Sequence, residues 1–124
     1  MQFALLIYGD EAAGNERYAG LSEEEQAADM GRWFAYTEEL KSAGIHRGGE
    51  ALHGAQTAST VKTPNGERIV TDGPFAETKE QLGGFYLIDV GSKDEALDWA
   101  AKIPSAPYGS VEVREIMTFD EAPS

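Results

Sequence analysis

Cysteine is absent from the 124 residues, which removes disulfides, thiolate nucleophiles, iron–sulfur clusters and cysteine-ligated zinc. Basic residues are scarce: ten Lys and Arg face twenty-two Asp and Glu, for a formal net charge of −12. A surface of that sign repels nucleic acid and anionic membrane before contact, so neither is expected as a partner. Long apolar runs are missing too. Nothing approaches the roughly 20 residues a spanning helix needs, and the short run Phe3 to Tyr8 has no basic leader. A soluble, cytoplasmic protein is the expectation. Histidine occurs only as His46 and His53. With neither a His-Glu-x-x-His pattern nor a phosphate-binding or dinucleotide glycine fingerprint, no metal and no cofactor is expected.

What is present suffices for one core. Hydrophobic residues make up 41% and aromatics 10%, too many for a disordered acidic chain, and the length suits one domain. Residues 1–118 are expected to form it, with 119–124 as a loose acidic tail. Phe3 to Tyr8 reads as a strand covered on both faces, and Gly9 to Gly20 as a glycine-punctuated, charged loop. Ser22-Glu23-Glu24-Glu25 is a capping box that opens a helix over 23–43. Its expected buried stripe is Ala27, Met30, Phe34, Thr37 and Leu40, with Trp33 beside it, and Gly44 ends it. Gly49 to His53 reads as a short strand. A poorly buried hairpin follows, Thr57 to Thr63 and Glu67 to Asp72, turned at Pro64-Asn65-Gly66. Gly84 to Val90 is another two-sided strand. A second box, Ser92 to Glu95, opens a helix with Ala96, Trp99, Ala100 and Ile103 inward, stopped by Pro104. Val111 to Met117 is the last strand.

That order is α+β: a ferredoxin-like βαββαβ unit with an inserted β-hairpin. Two helices cover one face of its sheet, yet Ala4, Leu6 and Tyr8, like Phe85 and Leu87, are apolar on the other. A bare face of that kind predicts a homodimer packed sheet to sheet about a two-fold axis, with a partly polar cavity between the subunits.

The densest cluster of special residues is Asp72-Gly73-Pro74-Phe75-Ala76-Glu77-Thr78-Lys79-Glu80. Gly73 before Pro74 sets a turn, and Asp72 can fold its carboxylate onto nearby N–H groups. Phe75 serves as anchor, and Glu77, Lys79 and Glu80 are presented close together. A stiff solvated bend explains these residues, and so does a site with a perturbed carboxylate.

The same nine residues resemble the signature of YCII-related proteins of the DGPF type. Gly48-Gly49-Glu50-Ala51-Leu52, Gly83-Gly84-Phe85-Tyr86 and Gly109-x-Val111-Glu112-Val113-Arg114 agree with it, so the likeness covers nearly the whole chain. The resemblance implies a dimeric α/β barrel built from ferredoxin-like subunits, and an association with extracytoplasmic-function sigma factors and their protein partners. In the better-studied branch of that family a first-helix histidine, about three turns before the helix-ending glycine, is proposed to work with an aspartate. Here Trp33 stands near the histidine's place, and Asp72 corresponds to the acidic partner. Glu115 stands where the family commonly has proline.

His53 can act as a relocated base beside Asp72, its pKa suiting proton transfer near neutrality, or simply end a strand with one backbone hydrogen bond. His46, after the helix stop, is expected at the surface. Tyr8, Tyr86, Phe85, Trp33 and Phe75 either line a small-molecule cavity or belong to core and interface, with Glu77 and Lys79 contributed by the turn. Arg114 is an anchor for a substrate carboxylate or a partner of Glu112 or Asp89. Two main readings follow: a non-catalytic ligand-binding or regulatory dimer linked to sigma-factor systems, and a cofactor-independent isomerase or lyase using Asp72 and His53. A purely structural adaptor is the third.

Overall fold

The computed structural model describes residues 1–119; residues 120–124, the bulk of the expected tail, lie outside the described residues. Six strands and three helices follow in the order β1 (Gln2–Gly9), α1 (Glu11–Ala19), α2 (Glu23–Ser42), β2 (His46–Ala51), β3 (Ser59–Lys62), β4 (Ile69–Asp72), β5 (Gln81–Asp89), α3 (Lys93–Ala101) and β6 (Ser110–Glu115). Strands β2, β5, β1 and β6 form one sheet in that order, every neighbouring pair antiparallel. With α2 and α3 on one face, this is the α+β, ferredoxin-like arrangement that the order of elements implied. No closed barrel is formed by the described residues.

The period of two sorts β1 as expected. Phe3 and Leu5 are fully buried under the helices, joined by Ile88 and Val90 near the end of β5, Ala96, Ala100 and Ile103 from the α3 region, and Tyr36 and Leu40 from α2. Ala4, Leu6, Phe85 and Leu87 point the other way and stay partly exposed. On β6, Arg114 pairs in register with Ala4, and Glu112 with Leu6, so both flank that open face.

The capping box at Ser22 is complete. The Glu25 N–H donates to Ser22 Oγ, and the Ser22 N–H donates to the Glu25 carboxylate, both at 3.1 Å. The box at Ser92 is only half made: Ser92 Oγ accepts from the Glu95 N–H, but the Glu95 carboxylate takes the N–H of Gly91 instead.

Three expectations need correction. The segment 9–20 is a helix over most of its length, not a loop. Asp10 caps it by accepting from the Ala13 N–H, and an acid in the first turn and a base in the last complement its dipole. These terms and its side-chain tethers outweigh the ~1 kcal/mol cost of the interior Gly14. The buried stripe of α2 is displaced: Asp29, Tyr36 and Leu40 are buried and Trp33 packs on the core, whereas Met30 and Phe34 are 50% and 68% exposed. The helix carries two apolar stripes, and periodicity alone does not say which one meets the sheet. Strand β2 begins earlier than expected, at His46, leaving Leu52 and His53 beyond its end.

The hairpin is as thinly buried as its residues implied. Strands β3 and β4 make a separate two-stranded sheet, turned through Asn65 and Gly66 at φ of 54° and 80°.

Candidate functional site

A cleft of about 730 Å³ opens between the helices and one end of the main sheet. Its floor is β1 and β5, through Ile7, Tyr8 and Tyr86, with Phe85 at its border although that side chain belongs to the open face; Met30, Trp33, Phe34 and Thr37 of α2 form a wall. The exposed second stripe of α2 is therefore cleft lining. His46, Gly49 and Glu50 contribute from β2, and Ser105, Tyr108 and Gly109 from the turn before β6.

Helix α1 closes the end. Nine residues span about 13 Å, close to the three ~4.8 Å spacings across a four-stranded sheet. Both ends of the helix are pinned. The Glu11 carboxylate accepts from the Ala55 N–H just past β2, with both oxygens at 3.0 Å. At the other end Arg17 Nη2 donates to Asp29 at 3.1 Å and to the Tyr108 hydroxyl at 2.8 Å, its guanidinium 4.6 Å from the Tyr108 ring centre. Asp29 is 7% exposed and also accepts from Arg32 at 2.7 Å. Burial pushes its carboxyl up, but the hydrogen bonds and charges of Arg32 and Arg17 win and hold it below the ordinary carboxylate value. The hydrogen bond to Asp29 in turn raises Arg17 further, keeping it charged.

A second polar group lies on β5. Thr37 Oγ1 donates its one proton to the Trp33 carbonyl at 3.1 Å, so the 2.9 Å contact between Thr37 Oγ1 and Tyr86 Oη has the tyrosine as donor. The lone pairs of Tyr86 Oη remain free to accept from a ligand. Tyr36 packs edge-on behind Tyr86, ring centres 5.2 Å apart, and donates to the Trp99 carbonyl at 2.8 Å. Burial, with Tyr86 and Glu39 adding to it, raises the Tyr36 phenol far above its ordinary value, so it stays neutral. His46 stands edge-on to Tyr86 on the other side, at 6.4 Å. Ser105 lines the cleft, and its Oγ is buried without a hydrogen-bond partner among the described residues.

Of the aromatic residues expected from sequence at a cavity, Tyr8, Trp33, Phe85 and Tyr86 border this cleft and Phe75 does not. Asp72, at the end of β4, and His53, beyond β2, are both exposed, and no hydrogen bond joins them. The expected Asx-turn at Asp72 is not what holds the motif. Gly73 adopts φ 98°, its N–H donates to the Ala58 carbonyl at 2.7 Å, and Thr60 Oγ1 donates to its carbonyl at 2.9 Å. Phe75 is 80% exposed, with Lys62 5.6 Å from its ring centre; Glu77 and Lys79 are exposed on the same bend. This bend borders a shallower groove that shares Tyr8 and Gln81 with the main cleft. Arg114 pairs with Glu112, on the open face of the sheet. Among the described residues no three His, Asp or Glu side chains gather as a metal-binding cluster, and no helix is long and apolar enough to cross a membrane.

Sequence reasoning missed Arg17, His46 and Ser105. His46, expected at the surface, is half-buried because β2 starts at this residue and lays its ring against Tyr86. No local signal marked Arg17 or Ser105, whose surroundings are made by distant elements.

A solved structure of similar fold is that of 5-chloro-2-hydroxyhydroquinone dehydrochlorinase from Burkholderia phenoliruptrix, in complex with 2,5-dihydroxybenzoquinone. The TM-score is 0.52 and the identity 18%, over 94% of each chain; at that identity the likeness is one of fold. An uncharacterized protein of Rhizobium meliloti is 41% identical over 121 residues, which cover 96% of this chain and 94% of the relative. The family model of the YCII-related domain matches residues 1–120, and the chain belongs to the YCII-related family.

Proposed function

We propose that this chain is a non-catalytic, dimeric small-molecule-binding protein, of the regulatory kind that the sigma-factor association implies, and that its cleft takes a small planar ring compound. The observation that carries this reading is the cleft itself. About 730 Å³ is within the range of small-molecule sites, and an apolar, aromatic wall with a few convergent polar groups is their usual make-up. The structural neighbour, solved with 2,5-dihydroxybenzoquinone, supports a ring of that size as the first ligand to try. Asp72 and His53 lie outside the cleft lining, which favours binding over the isomerase or lyase alternative.

Calorimetric titration with 2,5-dihydroxybenzoquinone is expected to give one site per chain with a dissociation constant below about 1 mM, that is, better than about −4 kcal/mol. Tyr86→Phe, which removes one hydrogen-bonding hydroxyl, is expected to weaken it about fivefold. Absence of heat at millimolar ligand would sink the assignment.

The open sheet face supports the dimer. Ala4, Leu6, Phe85 and Leu87 form an apolar centre flanked by the Glu112–Arg114 pair, and two such faces brought together about a two-fold axis would give the dimeric α/β barrel. Sedimentation at tens of micromolar is expected to report twice the chain mass, and Leu87→Asp the single mass, since an unpaired carboxylate would be trapped in the interface. A wild-type monomer at that concentration contradicts the dimer.

A further inference from the structure

We propose that the end of the cleft beside β6 is an oxyanion-recognition site, formed by Arg17, Tyr108 and Ser105, so that the ligand is an anionic ring compound rather than a neutral one. This rests on the cleft being a ring-binding site and adds the ligand's charge and orientation. The three residues converge from two directions. Arg17 comes from the last turn of α1, while Ser105 and Tyr108 share one turn, in which the Tyr108 N–H donates to the Ser105 carbonyl at 3.1 Å.

Each has hydrogen-bonding capacity left over. A guanidinium has five N–H donors; Arg17 uses Nη2 for Asp29 and Tyr108, and neither Nη1 nor Nε has a partner among the described residues. The Tyr108 hydroxyl, having accepted from Arg17, keeps its own proton to donate. Ser105 lines the cleft, and its Oγ is buried and unpartnered among the described residues, so that a rotation about its Cα–Cβ bond is what would turn it to a ligand. A buried hydroxyl without a partner costs free energy, which a ligand oxygen would recover.

The charge balance agrees. One carboxylate, Asp29, is shared between Arg17 and Arg32, so the cluster keeps a net positive charge although the chain as a whole is strongly acidic. Asp10 and Glu11 also reach the cleft, but their carboxylates are engaged by the N–H groups of Ala13 and Ala55. Glu50 lies on β2, the opposite edge strand from β6. An anionic group is therefore favoured at the Arg17 end, where a planar carboxylate or ionised ring oxygen can take the guanidinium fork, with the rest of the ring toward Tyr86.

Calorimetry at pH 7 with 2,5-dihydroxybenzoate, 2,5-dihydroxybenzoquinone and hydroquinone tests this. The first two bring a carboxylate and an ionised ring oxygen; the third is neutral. Wild-type protein is expected to bind at least one of the anions ten or more times more tightly than hydroquinone, and which anion prevails tells carboxylate from ring oxygen. Arg17→Gln is expected to bring the ratio of anion to hydroquinone affinity below about twofold. Ser105→Ala breaks no existing hydrogen bond, so its fold is secure, and it is expected to weaken the anion alone, about threefold. Equal affinity for charged and neutral rings, or a preference that survives Arg17→Gln and Ser105→Ala, overturns the oxyanion site and leaves the cleft assignment standing. No binding by any of the three overturns both.

Discussion

Leu40→Ala is expected to lower the unfolding free energy by about 3 kcal/mol, within the range for emptying a well-packed leucine site. Leu40 is fully buried in the cluster that includes Phe3, Leu5, Ile88 and Ile103. The residues around it belong to β1, β5 and the α3 region, which are fixed by the sheet ladder and by one another and so relax little into a cavity. Urea denaturation checks it: the midpoint should fall with an unchanged slope, and the melting temperature should drop by roughly 10 °C for a domain of this size. Phe34→Ala is the matching control. It deletes a larger side chain from the same helix, but one 68% exposed at the cleft rather than in the core, so a loss of no more than about 1 kcal/mol is expected. Equal losses at the two positions would contradict the division of α2 into a core stripe and a cleft stripe.

The second large effect is expected from Gly49→Ala, a single added methyl group. Gly49 has φ 155°, and a Cβ there would lie 2.6 Å from the Phe85 carbonyl oxygen and 3.0 Å from Tyr86 Cδ1. Backbone strain of ~1–3 kcal/mol adds to a similar cost of overpacking, for roughly 3 kcal/mol altogether. The obstruction is backbone, which moves only if β2 leaves its register with β5. Because Gly49 and Tyr86 both line the cleft, ring binding should fall with stability. Gly31→Ala makes the contrast: it is exposed, inside α2, with nothing within 4 Å of the added carbon, so it should stabilise the chain by about 0.5–1 kcal/mol. Thermal melts of the two variants should shift in opposite directions; a Gly49→Ala protein as stable as wild type would exclude the close approach of β2 to β5.

The elements that could be read from sequence were those whose causes are local. The Ser22 box satisfies its own first turn with residues three apart, and Phe3 to Tyr8 and Gly84 to Val90 carry their apolar faces within a single strand. Helix α1 was lost because much of its support is remote: Glu11 is held by Ala55 and Arg17 by Asp29 and Tyr108. The motif from Asp72 to Glu80 drew attention by its density of special residues. What it makes visible is a turn with positive φ at Gly73, exposed at the side of a shallower groove, while the main cleft is assembled elsewhere.

By itself, the sequence determined the charge of the surface, the absence of cysteine chemistry, the order of the strands and of the two core-covering helices, and the family. These depend on composition, on spacing within one element, or on short motifs. Tertiary structure alone decided which stripe of α2 entered the core, that His46 met Tyr86, and that Arg17 came to lie beside Tyr108, near the buried hydroxyl of Ser105. Those groups are separated by tens of residues along the chain, and their positions are set by strand pairing and helix docking. Chain folding also brought Arg17 to one end of a cleft in an acidic protein, with Asp29 buried between it and Arg32, a placement that no count of charges could have located.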